Sequence, residues 1–212
     1  MGIPSYFQHI INNYNRIFIH LEDIKDDENK VNLYLDSNSI IYDCLRYLKL
    51  GDKDIDVYEY ELCNEVCKNI EKIISEITPS GIVIVAFDGV APVAKLEQQR
   101  TRRFKSEIIA NLENEIKKDD GILEWNKAAI TPGTEFMSKL NRYIKDYFIA
   151  LEKSGIKLGY SKIIISGSDE FGEGEHKIFE FVRNNEIYHN NSKTLVYGLD
   201  ADLIILCLNH LY

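Results

Sequence analysis

No apolar run in this 212-residue chain is long enough to cross a membrane as a helix, and no charged-then-apolar leader opens it. Membrane-spanning and secreted classes are therefore set aside. Tyr6 stands where an N-terminal myristoylation signal wants Ser or Thr, which argues against a lipid anchor. The four cysteines, Cys44, Cys63, Cys67 and Cys207, form no C-x-x-C pair and no zinc-spaced set with histidine. They read as reduced packing residues of an intracellular protein, in nucleus or cytoplasm. Internal repeats and low-complexity linkers are also missing. Positive charge is in deficit: 25 Lys and Arg against 34 Asp and Glu give a net charge of −9. That balance alone argues against a general nucleic-acid binder.

What is present is a globular composition, 45% hydrophobic and 28% charged, enough for one α/β domain with a real core. Short β-branched runs at 31–35, 82–87, 162–165 and 195–199 alternate with helical patterns at 3–12, 38–48, 55–77, 92–118 and 133–153. The predicted fold is a mostly parallel central sheet with helices on both faces, in a single domain over 1–212. In such sheets the ligand site lies beyond the carboxyl ends of the strands.

Acids gather at those ends. Asp36 and Asp88 each close a strand-like run, Glu173 and Glu175 sit in Gly-Glu-Gly-Glu-His-Lys (172–177), and Asp200 and Asp202 follow the last run. Six clustered carboxylates repel one another, and hard divalent cations are the usual counter-charge. Two such ions roughly 4 Å apart can clamp a phosphodiester. The blander reading is helix capping by single strand-end aspartates, Asp36 or Asp202 for example. His176, next to Glu175, reads as a residue that positions a neighbour rather than as a base.

A basic patch interrupts the acidic chain. Residues 95–105 carry Lys95, Arg100, Arg102, Arg103 and Lys105 against Glu97 alone. Lys95, Gln99, Arg102 and Arg103 fall at i, i+4, i+7 and i+8, one helical arc suited to phosphate oxygens. Val93, Leu96, Phe104 and Ile108 fall on another arc, expected to pack inward. A solvated charged face is the alternative.

Several blocks together are more specific than any single motif. Met-Gly-Ile-Pro-Ser-Tyr-Phe (1–7), Leu-Asp-Ser-Asn (35–38), Phe-Asp-Gly-Val-Ala-Pro-Val-Ala-Lys-Leu-Glu-Gln-Gln-Arg-Thr-Arg-Arg-Phe (87–104), Ile-Thr-Pro-Gly-Thr-Glu-Phe-Met (130–137), Gly-Glu-Gly-Glu-His-Lys-Ile (172–178) and Tyr-Gly-Leu-Asp-Ala-Asp-Leu-Ile (197–204) resemble, in order, the first conserved region of the Xrn/Rat family of 5′→3′ exoribonucleases. The resemblance implies a PIN/flap-nuclease-like fold. It also implies Mg²⁺- or Mn²⁺-dependent hydrolysis of single-stranded RNA from a 5′-monophosphate end, releasing nucleoside monophosphates. By position it makes Asp36, Asp88, Glu173, Glu175, Asp200 and Asp202 metal-binding acids, and Lys95, Gln99, Arg102 and Arg103 a 5′-phosphate pocket.

Tyr42 stands where the family has a base-stacking histidine. An aromatic ring can still stack there, though a helical Tyr is otherwise a packing residue. The family's later aspartate-rich segment, a further metal ligand, and its second conserved region lie past Tyr212. A truncated catalytic domain with an incomplete two-metal site is therefore expected. Two other readings stay open: a non-catalytic module that binds RNA 5′ ends or a protein, and a flap-type DNA nuclease.

Overall fold

A computed structural model describes residues 5–24, 29–97, 100–101, 104–105, 108–109, 112 and 125–210. Four strands form one parallel sheet: β1 (Lys30–Asp36), β2 (Ile82–Ala86), β3 (Lys162–Ser166) and β4 (Ser192–Tyr197), in the order β3-β2-β1-β4. Among the described residues the helices include α1 (Tyr6–Asn13), α2 (Asn38–Tyr47), α3 (Ile55–Ile77), α4 (Glu135–Lys153), α5 (Gly174–Asn184), α6 (Glu186–His189) and α7 (Asp202–Leu208), and residues 93–97, 100–101 and 104–105 are helical as well. The α/β class with a parallel sheet is as the sequence predicts.

Period-two geometry sorts the strand residues between two cores. Leu33, Leu35, Val83 and Val85 pack with Ile41 of α2, Leu62 and Ile70 of α3, and Leu140 and Ile144 of α4. Tyr34, Ile82, Ile84 and Ala86 pack with Ile178, Phe179 and Val182 of α5 and Leu203 of α7. Because both faces are covered, β2 reads as an unbroken apolar run whose five residues are all buried. The connections β1→β2→β3 carry α2, α3 and α4, while β3→β4 carries α5 and α6. The chain thus reverses its winding between β1 and β4, and the crevice beyond their carboxyl ends is where a doubly wound sheet binds ligand.

The helix limits follow local chemistry. Asp54 starts α3 by accepting the Asp56 N–H at 2.9 Å, and Thr78 ends it in the left-handed region (φ 52°) just before Pro79. Thr134 caps α4 by accepting the Met137 N–H. Trp125 stacks edge-on to Phe136 with ring centroids 4.8 Å apart and donates its indole N–H to Glu59.

Three strands are tied by one buried side chain. Asn32 of β1 accepts the Ile82 N–H at 2.9 Å and donates to Ser192 Oγ at 2.9 Å on β4. Gly81 permits this approach, since a Cβ there would lie 2.2 Å from Asn32 Oδ1. Asn32→Ala leaves a buried N–H without a partner and is expected to cost about 2 kcal/mol, read as a lower urea midpoint at unchanged m.

Two expectations are corrected. β4 spans Ser192–Tyr197 rather than 195–199, and Leu199 is 68% exposed beyond it. Val93, Leu96, Phe104 and Ile108 do not pack inward. All four are exposed, because the sheet faces are already covered by other helices and neither core includes them.

Candidate metal centre

Parity along the strands aims the acids. Asp36 continues the face of Tyr34, and Asp88 that of Ala86, so both turn toward the layer of α5. There the first turn of α5 meets them: the Gly174 N–H donates to Asp88 Oδ1 at 2.8 Å. A helix N-terminus favours negative charge, which helps seat acids that otherwise repel. Gly174 also makes room, because a Cβ at that position would stand 2.4 Å from Asp36 Oδ1.

The loops are held in place by bonds the sequence did not single out. Asn38 donates to Asp88 Oδ2 at 2.7 Å and accepts the Asp88 N–H at 3.1 Å. Lys177 donates to the Phe87 carbonyl at 2.8 Å and the Gly167 carbonyl at 2.7 Å, pinning the ends of β2 and β3 to α5. Burial lowers its pKa. The Gly89 N–H donates to the Gly172 carbonyl at 2.8 Å, joining the Asp88 loop to the Glu173 loop. A signal existed for Lys177 and Asn38, since each lies inside a block carrying a candidate acid, but neither residue type announces a structural role.

The electrostatics are those of a crowded acid site. Burial pushes the Asp36 carboxyl up to about 7, and Asp88, Glu175, Asp200 and Glu173 add to the rise. Asp36 Oδ1 is buried with no hydrogen-bond partner. Burial also raises Asp88, against the opposing pull of the Gly174 N–H. Burial raises Glu175 in turn, opposed by Lys95 and His176. Lys95 Nζ lies 2.7 Å from Glu173 Oε2 and 3.8 Å from Glu175 Oε1. His176 Nδ1 lies 3.3 Å and 3.6 Å from the same two oxygens. One donor atom from each of Glu173, Glu175 and His176 falls within a 4.8 Å set that can hold an ion.

Asp36, Asp88, Glu173 and Glu175 are thus brought together, with Asp200 close enough to raise Asp36 and Glu175. Asp202 lies in the first turn of α7 and acts on Lys95. The capping alternative fails for Asp36, since Ser37 is the N-cap of α2 and makes no side-chain cap. It fails for Asp202 as well, since Ala201 is the N-cap of α7 and Asp202 its first residue, with its N–H donated to Asp200 Oδ1 at 3.2 Å. Tyr42 stands on the outer side of α2, 46% exposed. Gln99, Arg102 and Arg103 lie outside the described residues.

The residues fit a hard cation. An orphaned, buried carboxylate oxygen among like charges is costly unless an ion accepts it, and an oxygen-rich donor set suits Mg²⁺ or Mn²⁺.

Residues 1–211 match the family described as the XRN 5′-3′ exonuclease N-terminus. The chain is 37% identical over 219 residues to 5′-3′ exoribonuclease 1 of Saccharomyces cerevisiae, covering 99% of this chain and 14% of that protein. It is 35% identical to 5′-3′ exoribonuclease 1 of Homo sapiens, covering 98% and 12%. It is 34% identical to 5′-3′ exoribonuclease 2 of Aspergillus fumigatus, covering 98% and 23%. The chain therefore spans less than a quarter of the length of each of these relatives.

Proposed function

This chain belongs to the XRN 5′-3′ exonuclease family, and on that premise we propose that it forms the acid-bearing part of an intracellular nuclease that shortens single-stranded RNA from a 5′-monophosphate end. The observation that carries the reading is Asp36, whose partnerless Oδ1 lies buried among Asp88, Glu173, Glu175 and Asp200. Asp36, Asp88, Glu173, Glu175, Asp200 and Asp202 would hold Mg²⁺ or Mn²⁺, which supplies Lewis-acid charge at a phosphodiester oxygen when bound.

The chain's own residues supply the rest. The Gly174 N–H and Asn38 orient Asp88, and Lys177 fixes the two strand ends, so the acids are preorganised rather than gathered by substrate. Lys95, with Gln99, Arg102 and Arg103, would receive the terminal phosphate through charge-assisted bonds. Tyr42, exposed one turn into α2, would stack on a base.

The test is incubation of the protein with 5′-phosphorylated RNA, 5′-hydroxyl RNA and 5′-phosphorylated DNA in Mn²⁺, with EDTA as control. Expected is mononucleotide release from the first substrate alone, lost in EDTA and in Asp200→Asn. Binding without release would make the domain a 5′-end-binding module, preferential DNA cleavage would make it a flap-type nuclease, and undiminished activity in Asp200→Asn would remove the acid cluster from the chemistry.

A further inference from the structure

Lys95 is the one cation of the basic patch whose contacts are described at the acid cluster, and its ammonium does not point away from the acids. It lies 2.7 Å from Glu173 Oε2, a charge-assisted hydrogen bond, and reaches Glu175 Oε1 at 3.8 Å. The two carboxylates are only 12% and 16% exposed, whereas the Lys95 side chain is 35% exposed. Solvent therefore screens the acids poorly, and Lys95 supplies counter-charge to them from the open side. His176 Nδ1 crowds the same oxygens from its own turn of α5.

A hard divalent ion binds carboxylate oxygen at about 2.0–2.1 Å in the case of Mg²⁺, well inside the Lys95 contact. An ion on Glu173 Oε2 would meet both a blocked lone pair and the repulsion of a positive ammonium a few ångströms away. Lys95 is helical and carries a flexible four-carbon stem, so its ammonium can withdraw without moving the sheet.

We propose that Lys95 is a built-in counter-ion which a divalent cation must displace from Glu173 and Glu175, so that cation binding and release of the Lys95 ammonium toward a phosphate are one coupled event. The proposal rests on the reading of these acids as cation ligands. It makes Lys95 a positioning residue that lowers the site's affinity for ions until the ammonium leaves.

The experiment is calorimetric titration of Mn²⁺ into the wild-type protein, Lys95→Met, Lys95→Arg and Lys72→Met, each first checked for native circular dichroism. Lys72 is an exposed lysine of α3 paired with Glu76, so its loss controls for net charge. Lys95→Met is expected to bind Mn²⁺ about tenfold more tightly, the scale of one charge-assisted hydrogen bond between partly buried groups. Lys95→Arg and Lys72→Met are expected to match wild type. Equal or weaker binding by Lys95→Met, with wild type binding normally, overturns the counter-ion role and leaves the cation site standing. An equal gain in Lys72→Met also overturns it, as a bulk charge effect. No Mn²⁺ binding by wild type or Lys95→Met overturns the cation site itself, and the inference with it.

Discussion

Asp36→Asn is expected to raise the melting temperature of the ion-free protein near pH 8 by roughly 5 °C, while abolishing its Mn²⁺ binding. The direction follows from the sign of the shift. Asp36 is pushed up from 3.8 to about 7, chiefly by burial and then by Asp88, Glu175, Asp200 and Glu173. Between those two values the native protein keeps a proton that the unfolded chain has released. Native stability therefore falls as pH rises from about 4 to about 7, and stays reduced above that. The neutral amide escapes this loss. It also relieves repulsion on Glu175 and Asp88, both themselves raised by burial. Lys95 and Lys177 face the cluster as well, and their charge moderates the gain without reversing it.

The full shift corresponds to about 4 kcal/mol, and the burial of an amide in place of an acid offsets part of it, leaving about 2 kcal/mol. Thermal scans in EDTA across pH 4 to 8 check this: the variant should melt above wild type near pH 8 and below it near pH 4, where Asp36 is protonated, with the two curves crossing in between. Added Mn²⁺ should then raise the wild-type transition and leave the variant unmoved. A variant that melts lower than wild type near pH 8 in EDTA would mean that Asp36 is held by contacts rather than strained by charge. Sites that trade stability for function in this way are expected where like charges are assembled for a ligand.

Elements with strong periodicity and clear punctuation were legible in the sequence. α3 spans Ile55–Ile77 as expected, because a 23-residue amphipathic pattern lies between an Asp cap and a Thr-Pro-Ser-Gly stop. β2 was legible because a strand buried on both faces needs an unbroken apolar run. β4 was displaced because it is an edge strand, partly exposed throughout, whose Ser192-Lys193-Thr194 start is fixed by pairing with Lys30, Val31 and Asn32 rather than by hydrophobicity. Pairing between residues so distant in the chain leaves no local pattern to read.

That Asp36, Asp88, Glu173, Glu175 and Asp200 come together was legible from topology. Each lies at or just past a strand end or in a glycine-spaced turn, and parallel topology converges those positions. The supporting residues were less so. Asn38 and Lys177 act through backbone and carboxylate bonds that depend on where loops meet. The position of Lys95 against Glu173 could not come from a helical wheel, which gives the arc a residue occupies but not which element faces that arc.

Gly174→Ala is expected to weaken Mn²⁺ binding and the proposed RNA hydrolysis by about 10²-fold each while changing global stability by less than about 1 kcal/mol. Gly174 does not have a positive φ, so alanine meets no backbone strain there, and it is the first residue of α5, where alanine favours the helix. The penalty is local. The new methyl would stand 2.4 Å from Asp36 Oδ1 and 3.4 Å from the Ala86 carbonyl. Either Asp36 turns away or the first turn of α5 backs off, and the second movement stretches the Gly174 N–H bond to Asp88. In both cases the acids lose their common focus while the core under Ile178 and Val182 is untouched. A double-mutant cycle separates this from general damage. With Asp36 truncated to Ala, the methyl of Gly174→Ala has nothing to strike, so its remaining effect on stability should vanish or turn favourable. If Gly174→Ala unfolds the protein to the same extent in both backgrounds, the clash with Asp36 is not what glycine avoids at this position.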